Sequence, residues 1–110
     1  MHSLNQALAH ARERLAHLAD SYEEHGNADW NALAHAARWA LAGDRTAASV
    51  FHRVFEEPGF AVSASGMEVG YAALGIALCG DAGGLRYFAT RSMPFNGIDE
   101  DLAAARLLLG

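Results

Sequence analysis

Ser65-Gly66-Met67-Glu68-Val69-Gly70-Tyr71-Ala72-Ala73-Leu74-Gly75-Ile76-Ala77-Leu78-Cys79-Gly80-Asp81 is the stretch whose reading decides the fold. Between Glu68 and Asp81 it carries no charge, and its apolar residues point in every direction of a 3.6-residue period. Such a segment forms a helix buried on all sides. Ser65 and Glu68 stand at the spacing of a capping box, in which hydroxyl and carboxylate satisfy unpaired N–H groups at a helix start, and Gly80 supplies a left-handed stop. Gly66, Gly70, Ala73 and Ala77 make a ridge of small residues for close approach of a neighbouring helix, and the apolar run is too short to cross a bilayer. The segment 66–79 is therefore expected to be the central core helix.

Upstream, Phe60-Ala61-Val62-Ser63 reads as a short extended linker, and Pro58-Gly59 ends the helix before it. That helix buries Ala47, Ala48, Phe51, Val54 and Phe55 and turns His52, Arg53, Glu56 and Glu57 to water. Gly43-Asp44 is a tight turn closing a second helix that starts at Asn27 or Asp29, both good N-cap residues. On that helix Trp30, Leu33, Ala34, Ala37 and Leu41 share one face, while Ala28, Ala32, Ala36 and Trp39 lie roughly opposite, with His35 at the edge. The first helix carries Leu4, Leu8, Ala11, Leu15, Leu18 and Tyr22 as an apolar stripe ending near Gly26. Its other face aligns His10, Glu13, His17, Asp20 and Glu24. Downstream, Gly80-Asp81-Ala82-Gly83-Gly84 is a turn without the lysine and Ser/Thr of a phosphate loop. Leu85, Phe88 and Ala89 then point inward, Met93-Pro94-Phe95-Asn96-Gly97 is a second loop, and Asp99 caps a last helix through Leu102, Ala105, Arg106 and Leu109.

Composition limits the function classes. The 110 residues, with 52% hydrophobic and 19% charged side chains, suit one globular domain with a real core. Twenty-four alanines favour close-packed helices. The formal charge of -5, with its arginines scattered, argues against a phosphate-tracking surface, so nucleic acid is not an expected partner. All eight basic residues are arginine, a bias that accompanies high-GC bacterial or phage coding. Cys79 is the only cysteine, which excludes an internal disulfide and a thiolate metal cluster. The first residues lack the basic-then-apolar order of a secretory signal, so the expected compartment is the cytoplasm. His10, Glu13 and His17 have ligand chemistry one helical turn apart, but a metal site needs three or four converging ligands, so none is expected, nor any cofactor.

Two resemblances attach to particular residues. Arg12 and His17 have the R-x4-H spacing of the HEPN class of small helical ribonucleases, and the resemblance implies phosphate stabilisation by the arginine and proton movement by the histidine. Shifting the chain by 37 residues superposes Ala36 on Ala73, Ala40 on Ala77, Leu41 on Leu78, Gly43 on Gly80, Asp44 on Asp81 and Phe51 on Phe88. Each copy reads helix, Gly-Asp turn, helix, which resembles a tetratricopeptide-type hairpin over residues 32–93. That resemblance implies a protein-binding scaffold and no catalytic residues.

The expected fold is all-α: five to six short helices packed as antiparallel hairpins around the helix over 66–79, in one domain. The expected function is protein–protein binding, as an adaptor, secretion chaperone or immunity-type inhibitor of a basic partner; a HEPN-like ribonuclease or a structural homo-oligomer, such as a homodimer, is the alternative. The binding residues are Trp39, His35 and Arg38. Trp39 points away from the Trp30 stripe, and tryptophan is usually buried, so cover from the following helix pair is the expected environment. An exposed Trp39 would instead be an anchor, flanked by the histidine and arginine.

Overall fold

The computed structural model describes residues 3–21, 27–88 and 98–110. Among them are six α-helices and no strand: α1 Leu4–Asp20, α2 Ala28–Leu41, α3 Ala48–Glu56, α4 Met67–Leu78, α5 Leu85–Phe88 and α6 Ile98–Leu109. Short 3-10 turns, Arg45–Ala47 and Ala82–Gly84, lead into α3 and α5. The class is all-α, and no helix among the described residues is long and apolar enough to cross a membrane.

α4 is the central helix, as its uncharged sequence predicts. Glu68 and every residue from Gly70 to Ala77 are buried, and α1, α2, α3 and α6 all pack against it, α6 most extensively. Two of its glycines explain the close approach. A Cβ on Gly70 would collide with the Asp101 carboxylate of α6, and one on Gly75 would collide with the Phe51 ring of α3. The small residues thus make room for specific large or charged groups as well as for backbone.

The start of α4 corrects the expected capping box. Gly66 is the N-cap, in the left-handed region at φ 70°, and Ser65 makes no side-chain cap bond. Ser63 takes the role: its Oγ accepts from Met67 N–H at 3.2 Å, while Glu68 accepts from Ser63 N–H and O–H at 3.1 and 2.7 Å. The reciprocal logic survives two residues upstream because the left-handed Gly66 folds the chain back over the helix end. The linker before it is also turned rather than extended. Phe60 and Ala61 are buried, Ala61 has φ 55°, and its N–H donates to Asp29 Oδ2 at 3.0 Å. A non-glycine residue there is strained, and the bond from α2 offsets the strain. Asp29 is therefore not the cap of α2; Asn27 is, accepting from the N–H groups of Asp29 and Trp30.

In α1 the expected stripe holds at Ala11, Leu15 and Leu18, which are buried together with Ala7 and Ala19, whereas Leu4 at its start is 59% exposed. The core accepts the alanine face because α2, α4 and α6 all approach α1 closely. In α2 the buried residues are Leu33, Ala34, Ala36, Ala37 and Ala40, while Leu41 stays partly in water. Asp99 lies within the first turn of α6 together with Glu100 and Asp101, not before it. The expectations for Tyr22, Glu24, Gly26, Ala89 and the loop 93–97 fall outside the described residues.

The two Gly-Asp turns have the same geometry. Gly43 and Gly80 have φ 91° and 71°. Asp44 N–H bonds to Trp39 O at 2.9 Å and Asp81 N–H to Ile76 O at 3.2 Å; Gly43 N–H bonds to Ala40 O and Gly80 N–H to Ala77 O. This is the Schellman pattern, which requires a left-handed residue where each glycine stands. Each aspartate then caps the following 3-10 turn, Asp44 accepting from Thr46 N–H and Asp81 from Gly83 N–H.

Candidate functional site

On the outside of α2, Ala28, Ala32, His35, Trp39 and Ala42 succeed one another at steps of four and three residues, which places them on one face. Each is exposed or half-buried. Trp39 is 49% exposed, so the expected burial against the following helix pair does not occur. Its ring stacks on His35, with centroids 6.2 Å apart and planes at 28°. Arg38 Nη2 donates to Ala19 O at the end of α1, at 3.3 Å. The structure thus pairs His35 with Trp39 on this face, while the Arg38 guanidinium reaches to the end of α1. Both signs of charge occur there: Asp20, next to Ala19, Asp44, whose N–H is bonded to Trp39 O, and Arg45 beside it are all exposed. The stretch is an aromatic platform on a strip of alanines.

The other expected residues have different surroundings. Arg12 and His17 are both exposed on α1, and a five-residue step sets them about 140° apart around a helix. They do not share a face. His10 leaves the polar row, with Nε2 2.6 Å from Asp101 Oδ1, while Glu13 and His17 remain exposed. Among the described residues no group of three or more His, Cys, Asp or Glu side chains is placed to hold a metal ion.

Two clusters escaped the sequence reading. The first surrounds Asp101, which is 0% exposed. Arg14 donates to both its oxygens, from Nε at 3.3 Å and Nη2 at 3.1 Å, and the guanidinium lies 4.6 Å from the centre of the Tyr71 ring. Burial works against the Arg14 charge, yet its bonds to Asp101 carry its pKa above the ordinary arginine value. Tyr71, which also meets Trp30 edge-on at 6.3 Å, has its phenol raised by burial, with Arg14 opposing. This cluster joins α1, α4 and α6, and a buried carboxylate held by two basic side chains gives register to that packing. Its signal was present in the Asp99-Glu100-Asp101 run, but a first-turn carboxylate is equally explained by the helix dipole. The second cluster joins His52, Asp81 and Tyr87, from α3, the second Gly-Asp turn and α5. His52 read as a solvated residue because its partners lie 29 and 35 positions away.

Compared with models of protein families, with curated proteins and with solved structures, the chain matches none.

Proposed function

We propose that this chain acts by protein–protein binding, as an adaptor, secretion chaperone or immunity-type inhibitor, with Trp39 as the anchor and His35 and Arg38 beside it. The observation that carries the reading is the exposure of Trp39. A large ring stacked on a neighbouring histidine, on a strip of alanines, is preorganised to bury apolar area against a partner. The net charge of -5 favours a partner of basic character through complementary fields. The repeated Schellman turn supports reading the two units as a tetratricopeptide-like pair that serves as the scaffold. The setting we infer is the cytoplasm of a bacterial or phage-infected cell, where a lone buried thiol such as Cys79 stays reduced.

A photo-crosslinker at Leu41, the partly exposed neighbour of Trp39, tests this in cells of the native host. The expected result is a discrete adduct with a basic protein that disappears in Trp39→Ala while the melting temperature barely changes. An adduct pattern identical with and without the indole would refute the Trp39 site, and an adduct of the chain with itself would replace the binding reading by a homodimer.

A further inference from the structure

The cluster at the second Gly-Asp turn has a directional set of hydrogen bonds. His52 Nε2 lies 2.7 Å from Asp81 Oδ2, and His52 Nδ1 lies 2.7 Å from Tyr87 Oη. An ionised carboxylate only accepts, so Nε2 carries the imidazole proton and donates to Asp81. Nδ1 of a neutral ring is then an acceptor facing the Tyr87 hydroxyl, for whose single proton it competes with Glu56. Arg86 Nη2 donates to the same phenol oxygen at 2.9 Å. The Tyr87 ring stacks on Phe55 at 4.5 Å and 3°, and the Arg86 guanidinium lies 4.6 Å from its centre. Glu56, exposed on α3, faces the cluster as well, with Oε1 3.6 Å from His52 Nδ1. Arg86 is exposed and Tyr87 half-exposed, so the cluster lies at the surface rather than in the core.

A hydroxyl, a base within hydrogen-bond reach and a third group orienting the base are the parts of an activated nucleophile. We propose that Tyr87, His52 and Asp81 form a phosphoryl-accepting site, with Tyr87 as nucleophile, His52 as its general base and Asp81 as the residue positioning the imidazole. The substrate class is a phosphate ester or anhydride, whose anionic oxygens the Arg86 guanidinium meets as it bonds the phenol oxygen. In the step, Oη attacks phosphorus and the O–P bond forms as His52 Nδ1 takes the hydroxyl proton. The bond from phosphorus to the leaving oxygen breaks on the opposite side of phosphorus, that oxygen takes up a proton from water, and His52 returns its own proton to solvent. The products are a phosphotyrosine ester and a free alcohol or phosphate. Burial and Glu56 raise the phenol above its ordinary value, so the proton stays on Tyr87 until His52 removes it, and the base is required at neutral pH.

An alkyl fluorophosphonate provides the test on the full chain, since its phosphorus reports the same attack with fluoride leaving. Labelling at Tyr22, Tyr71 and Tyr87 is mapped by mass spectrometry, and rates are compared with N-acetyltyrosine amide. The expected result is Tyr87 labelled at least about 100-fold faster than the amide, the lower end of what general bases supply. His52→Gln should remove that advantage, and Asp81→Asn should lower the rate while Asp81→Glu restores it, because a carboxylate must orient the imidazole. All variants are checked by circular dichroism. Tyr87 reacting no faster than the amide in the unmodified protein, or a rate unchanged in folded His52→Gln, overturns the proposal and leaves the cluster as a tie between α3 and α5.

Discussion

The first helix–turn–helix unit, α2 with α3, and the second, α4 with α5, share their turn bond for bond but treat the residue before it in opposite ways. Trp39 and Ile76 stand at equivalent positions, each with its carbonyl accepting from the turn aspartate. Trp39 is 49% exposed and Ile76 is 0% exposed. The following 3-10 turn shows the same division. Ala47 is buried, whereas its counterpart Gly84 lacks a Cβ, which would collide with Ile76 Cγ2. An inward side chain at position 76 thus demands glycine at 84, and an outward one at 39 leaves room for alanine at 47. Local chemistry makes the turns alike; the helices stacked around α4 make the surroundings differ.

Ile76→Ala is the strongest test of that contrast. It should cost about 2–5 kcal/mol in urea unfolding, because the lost transfer energy is joined by a cavity. Gly84→Ala should come next, at about 1–3 kcal/mol, since the added methyl forces Ile76 from its seat. Combined, the two should cost less than the sum of the single changes, because truncating Ile76 makes room for the new methyl. Additive costs would disprove the pairing of these positions.

The two turn aspartates sharpen the comparison through pH. Both have pKa values below the ordinary carboxylate value: Asp81 through its bond from His52 and then Gly83 N–H, Asp44 through Thr46 O–H and N–H. A carboxylate depressed in the folded state contributes stability present above its unfolded value, and loses it as pH falls through the folded one. Acid titration followed by circular dichroism should therefore show stability falling from the ordinary carboxylate range downward. Asp81→Asn should flatten that fall more than Asp44→Asn, because only Asp81 also holds a side chain of another helix. Trp39→Ala should have the smallest effect, under about 1 kcal/mol, as at other exposed sites. A cost as large as that of Ile76→Ala would show that Trp39 belongs to the core.

Much of the fold was legible because its signals are local. The uncharged run from Val69 to Gly80 specifies a helix with no wet face, and Gly-Asp at 43–44 and 80–81 specifies the stop and the next start. The candidate site was legible in its members, since Trp39, His35 and Arg38 fall on adjacent positions of one helix, but their exposure was not. The clusters of Asp101 with Arg14 and His10, and of Asp81 with His52 and Tyr87, were illegible because each unites residues from different helices, with no fixed spacing to reveal them.

By itself, then, the sequence determined an all-helical chain, the identity of its central helix and the punctuation of both units, all of which follow from periodicity and from backbone conformations that few residues adopt. Tertiary structure alone decided which face of α2 meets water, that Ser63 rather than Ser65 closes the start of α4, and that His10 and His52 each meet an aspartate. A helix period states which residues share a face but not which face a neighbour covers, and a side chain's surroundings are set by elements far away in the chain.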